Sequence, residues 1–183
     1  MKSLILVAGV VALTLPINAA TASVLTMGGP LAQSCYISAE GSDPRASAIE
    51  GCTRALTEEG LLAPDRAATY VNRGIVHMAG GHDQAADADF DSALAIDANL
   101  ADAYLNKGFL RLREGKGQEA LPLLQKGIDA GPRRQALAYF ARGVAYEQTG
   151  DYRSAYSDLL RARQMEPHWS LPGEWLAHYQ IAR

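Results

Sequence analysis

Two asparagines stand at matching places in a repeated pentapeptide, Asn72 in Tyr70-Val71-Asn72-Arg73-Gly74 and Asn106 in Tyr104-Leu105-Asn106-Lys107-Gly108. A carboxamide both donates and accepts, so stacked asparagines can hydrogen-bond the backbone of an extended peptide with little regard to its side chains. The competing reading, solvated asparagines or asparagines serving a neighbouring loop, stays open on the sequence. Catalytic chemistry has less to work with. Gly115-Lys116-Gly117 lacks the following Ser/Thr and the preceding strand of a phosphate loop and reads as a turn. No G-x-S-x-G motif carries a nucleophile. His77, His82, His168 and His178 are scattered, and none shares a ligand spacing with a cysteine. Asp87, Asp89 and Asp91 alternate along a helical stretch, where residues two apart face different ways, so they read as a solvated acidic face rather than a chelate. Neither a metal nor a cofactor is expected.

The chain begins as an address. Lys2 precedes the apolar stretch Leu4 to Leu15, and small residues follow around Ala20-Thr21-Ala22, the pattern of a secretory signal peptide with an A-x-A cleavage site. The alternative, a membrane anchor, is disfavoured because the stretch is shorter than the ~18–20 residues needed to span a bilayer and Pro16 breaks it. Residues 1–22 are therefore expected to leave, and no membrane span is expected after cleavage. Lys2 is the one charged residue lost, which leaves 16 basic against 20 acidic residues, no excess with which to hold nucleic acid. Export also places Cys35 and Cys52 where thiols oxidise, so a Cys35–Cys52 disulfide is predicted. Two buried free thiols are the alternative, and a redox pair is disfavoured by the absence of C-x-x-C spacing.

Positioning these groups falls to a repeat. Tyr70, Tyr104 and Tyr139 are each followed four residues later by Gly74, Gly108 and Gly143. The register continues through Ala86, Ala120 and Ala155, then Phe90, Leu124 and Leu159, then Ala93, Gly127 and Ala162, and closes on Ala98, Pro132 and Pro167. The period is 34 and then 35 residues, with the extra residue in the loop of Arg133 and Arg134. Within each unit the apolar residues follow a helical period, as in Tyr70, Val71, Gly74, Ile75 and Met78. Predicted helices span 67–79, 83–96, 118–130 and 151–165, with Gly80-Gly81-His82-Asp83 a stop followed by an N-cap at Asp83. The recurring glycines and alanines are expected where the two helices of a hairpin cross.

This pattern of Tyr, Gly, Ala, Phe or Leu, Ala and Pro resembles the tetratricopeptide repeat and covers about 100 of the 183 residues. It departs from the family at Ala98, and at His77 and Arg111, which stand where the third unit has Tyr146. The resemblance implies an all-α α-solenoid of three helical hairpins (67–100, 101–134 and 135–168), flanked by an N-terminal half-repeat cap and a C-terminal capping helix. Residues 44–66 read as the capping half-repeat, because Ala48, Cys52 and Ala55 are spaced like Ala86, Phe90 and Ala93. Residues 23–43 read as an extended segment tied down by the disulfide. Residues 169–183 read as a capping helix with Trp175, Leu176 and Tyr179 on one face.

Function follows from the resemblance as an expectation. In this family the first helix of each hairpin lines a concave groove that binds peptides or partner proteins, and some members use a ladder of asparagines there. The groove would be lined by Asn72, Ile75, Asp102, Asn106, Phe109, Arg113, Leu137, Val144 and Gln148, with Ala141 breaking the ladder after two rungs. The expected protein is a non-catalytic interaction module, periplasmic or secreted, with a protein or peptide as its ligand. The alternative is an enzyme whose site no motif reveals.

Overall fold

In the computed structural model the described residues are 6–8 and 22–181. Most of the segment read as a signal peptide lies outside them. The helices are α1 (Pro30–Glu40), α2 (Ala46–Glu58), α3 (Ala63–Ala79), α4 (Asp83–Ile96), α5 (Ala101–Arg113), α6 (Gly117–Ala130), α7 (Gln135–Gln148), α8 (Tyr152–Met165) and α9 (Ser170–Leu176). Two three-residue strands, β1 (Leu6–Ala8) and β2 (Tyr179–Ile181), pair antiparallel, with Val7 opposite Gln180. The architecture is an all-α helical solenoid in which α3/α4, α5/α6 and α7/α8 are successive hairpins.

Each hairpin closes because one position is empty. A Cβ on Gly74 would stand 2.5 Å from the Phe90 ring, one on Gly108 2.5 Å from Leu124, and one on Gly143 3.0 Å from Leu159. The glycine of the first helix thus receives the large residue of the second, and Ala86, Ala120 and Ala155 are fully buried beside them. Gly81, Gly115 and Gly150 turn the chain between the helices at φ 76°, 73° and 82°, a left-handed conformation that costs glycine nothing.

Charged side chains lace the hairpins together, which corrects the reading of a solvated acidic face. Asp89 is buried and held bidentate by Arg73 at 2.7 and 2.8 Å, and Arg142 grips Asp158 in the same way at 2.7 and 2.9 Å. In the middle hairpin the acid's place is taken by Leu123, and Lys107 reaches back to Asp87 and Asp91 of α4 at 3.3 and 2.5 Å. Arg111 also reaches Asp87, at 2.9 Å. Residues two apart do face differently on α4, and each direction meets a different cation. Asp83 does not cap α4 with its side chain: the N-cap residue is His82, and Asp83 pairs with Arg113. Asp151 does cap α8, accepting from the Ser154 N–H.

Both ends differ from their expected extent. The segment 23–43 is not extended throughout, since Pro30–Glu40 is helical and packs with α2 and α3. Pro30 starts the helix, where its missing N–H costs nothing, and Ala32, Cys35 and Ala39 form its buried stripe. The Glu59 carboxylate satisfies the free N–H groups of Leu31 and Ala32 at 2.8 and 3.0 Å. Cys35 and Cys52 are joined, tying α1 to α2. At the other end the capping helix stops at Leu176, and the chain continues into β2. Trp175 packs edge-on to Phe140 with ring centroids 5.3 Å apart, and Trp169 does so at 5.1 Å. Glu147 accepts from the Trp175 indole at 2.8 Å and from the Tyr179 hydroxyl at 2.7 Å, so α9 and the residues after it close the last hairpin.

Candidate functional site

The first helices α3, α5 and α7 present matched positions along one face, and the first two carry Asn72 and Asn106, both fully buried. An uncompensated carboxamide there would be costly, and neither is uncompensated. Asn72 accepts from the Val24 N–H and donates to the Val24 carbonyl, both at 2.8 Å. Asn106 accepts from the Ala22 N–H at 3.3 Å and donates to the Ala22 carbonyl at 3.1 Å. Each asparagine therefore holds both polar groups of one residue. The two residues held are i and i+2, the period at which an extended chain presents its N–H and C=O to the same side. Of the open readings, this is the one in which the asparagines serve a neighbouring segment of the chain itself, here an extended one.

The held segment continues to a third anchor. Asp65, in the first turn of α3, accepts from the Thr26 hydroxyl at 3.0 Å and from the Met27 N–H at 2.7 Å. Ala22 and Thr26 are buried, whereas Leu25 and Met27 are 52% and 84% exposed. This in-and-out alternation belongs to a strand lying on a surface. Neither Asp65 nor Glu59 stood out in the sequence, because each lies outside the repeat register.

The remaining expected groove residues divide into three kinds. Ile75, Phe109, Leu137 and Val144 are buried apolar groups, the last three in one cluster with Ala22. Arg113 and Gln148 tie repeats together: Arg113 donates to the Met78 carbonyl at 2.6 Å and Gln148 to the Leu112 carbonyl at 3.0 Å. These carbonyls lie in the last turn of the preceding first helix, where in-helix partners run out. Asp102 is different again. It is 5% exposed, its Oδ1 has no hydrogen-bond partner, and burial pushes its carboxyl up to about 6. It stands one turn before Asn106, whose amide also donates to the Asp102 backbone carbonyl at 2.8 Å. Among the described residues no group of three His, Cys, Asp or Glu could hold a metal ion, and no helix is long and apolar enough to cross a membrane.

Stacked helical hairpins with a polar-runged inner face define a helical-repeat scaffold. Residues 136–168, the third hairpin, match the tetratricopeptide repeat family. It is 29% identical over 105 residues to cellulose synthase operon protein C of Escherichia coli (strain K12), a match that covers 52% of this chain and 9% of that protein. Over 99 residues it is 34% identical to tetratricopeptide repeat protein 6 of Homo sapiens, covering 52% of this chain and 19% of that one. The chain thus spans less than a fifth of either relative. Among solved structures, the MamA RS-1 ArsTM double mutant superposes with a TM-score of 0.63 at 21% identity, covering 81% of this chain and 82% of that one. MamA from residue 41 onward from Desulfovibrio magneticus RS-1 does so with a TM-score of 0.60 at 24% identity, covering 81% and 82%. These likenesses concern the fold.

Proposed function

We propose that this protein is an exported, non-catalytic adaptor that binds an extended segment of a partner protein on the face of α3, α5 and α7. The observation that carries the reading is Asn72, which holds the N–H and C=O of Val24 in an extended segment; its counterpart Asn106 holds Ala22, the last residue of the expected signal peptide, and is freed when that residue leaves. Phe109, Leu137 and Val144 supply an apolar floor for side chains beside the second rung. A periplasmic or secreted location is supported by the signal-like first 22 residues and by the Cys35–Cys52 bond. The acidic balance of the chain argues against a nucleic-acid partner.

The test is affinity capture from an envelope extract with wild type and with the double substitution Asn106→Ala, Phe109→Ala. A specific partner retained by wild type and lost by the double variant, with helical content unchanged, supports the reading. Equal capture of every partner by both proteins contradicts the groove assignment.

A further inference from the structure

The segment that occupies the groove is itself informative about what else could sit there. Three anchors, Asn106, Asn72 and Asp65, meet residues 22, 24 and 26 in turn. The segment therefore runs from the second hairpin to the first, against the order of the repeats. Ala22 is enclosed to 2% exposure, so the Asn106 rung has room for a small side chain. Val24 packs against the apolar cluster that α3 and α4 share with α1, α2 and α5, which suits a β-branched aliphatic group at the Asn72 rung. At the third position the Thr26 hydroxyl donates to a carboxylate, a bond that serine or threonine can make and an aliphatic residue cannot. The Leu25 and Met27 side chains between and after these positions are exposed.

We propose that residues 22–27 are a built-in ligand of the groove and an imprint of the ligand it accepts. That ligand is an extended peptide of the pattern small–x–β-branched aliphatic–x–Ser/Thr, which binds by replacing this segment on the same three anchors. The inference rests on the groove reading above and adds ligand class, direction and register to it. Displacement is required because the occupant is tethered: two residues, Gly28 and Gly29, join it to α1, which the disulfide fixes. A short tether gives an effective concentration in the millimolar range, so a free peptide competes at a disadvantage until the tethered segment is weakened. Both linking glycines pass close to the turn after α2, where a Cβ on Gly28 would lie 2.7 Å from Leu61 Cδ2 and one on Gly29 2.3 Å from Glu59 Oε1. Cleavage after Ala22 would leave Val24 on Asn72 and vacate Asn106. The adjacent buried and unpartnered Asp102 Oδ1 would then offer an acceptor to a donor on the incoming peptide.

The experiment uses the full chain and a fluorescent hexapeptide copied from residues 22–27, Ala-Ser-Val-Leu-Thr-Met, blocked at both ends. Val24→Pro removes the N–H that Asn72 accepts and so loosens the occupant in place. Anisotropy titration is expected to show at least ~10-fold tighter hexapeptide binding by Val24→Pro than by wild type. Adding Asn72→Ala to Val24→Pro should cancel that gain, and a scrambled hexapeptide should not bind. Equal affinity for wild type and Val24→Pro, no binding by either, or indifference to Asn72→Ala overturns the proposal. Such a failure alongside partner capture that still depends on Asn106 and Phe109 would leave the groove reading standing. Hexapeptide binding as expected, with capture indifferent to those two residues, would keep the peptide-binding face and overturn only the assignment of the captured partner to it.

Discussion

The first two hairpins and the third share a backbone plan and use their inner faces for opposite ends. On α3 and α5 the matched position is asparagine, buried and bonded to extended backbone. On α7 it is Ala141, buried in an apolar cluster that runs through Phe140 to Trp175. Six residues further along, the position held by Met78 and Leu112 becomes Glu147, which ties down Trp175 and Tyr179. The lesson is that the scaffold sets spacing while single side chains decide whether a face holds extended backbone or closes on apolar residues.

That division can be broken at its closing end first. Trp175→Ala removes the buried ring from Phe140 and leaves Glu147 without its indole donor, and should lower unfolding free energy by ~3–5 kcal/mol in urea titrations. Hexapeptide affinity under native conditions should stay within twofold of that of its parent.

The opposite end is closed covalently. Replacing both cysteines by serine opens a link between residues 17 apart and should cost ~3 kcal/mol, read by the same titration. A loss confined to the third hairpin's signals would contradict the assignment of the disulfide to the first end.

Asp102 sharpens the recognition side. Its folded pKa of about 6 lies above the ordinary 3.8, so its contribution to stability is present below about 3.8 and is lost as pH rises through 6. Asp102→Asn should therefore stabilise the protein by roughly 2–3 kcal/mol at pH 8 and leave stability unchanged below pH 4. A stability difference that does not vary with pH would show that the carboxyl is already partnered.

Within the hairpins, Gly108→Ala and Gly143→Ala separate close from looser crossings. The first forces a Cβ to 2.5 Å from Leu124 and should cost ~1–3 kcal/mol; the second meets Leu159 at 3.0 Å and should cost less. Equal costs would mean that Leu124 moves aside freely.

Much of the fold was legible because it depends on residues too small to mistake. A glycine or alanine recurring every 34 or 35 residues marks where helices cross, and the turn glycines mark where they end. The Asn72 and Asn106 pair was legible for the same reason, as a polar residue in an otherwise apolar register. What could not be read depends on pairing between segments. Gly28-Gly29-Pro30 looked like coil and is the lead into a helix whose N–H groups need Glu59, far along the chain. Asp87, Asp89 and Asp91 looked solvated because their cations come from other helices. The occupant of the groove had no signature, since the anchors read its backbone more than its side chains.

The polar rungs of the first two hairpins grip extended backbone, while the third hairpin contributes only apolar contacts beside Ala22. Native-state amide hydrogen exchange at Val24 measures this grip directly. The Val24 amide should exchange at least ~100-fold slower than a free chain in wild type, reach the free-chain rate in Asn72→Ala, and stay slow in Glu147→Ala. Free-chain exchange in wild type, or protection that survives Asn72→Ala, would contradict that grip.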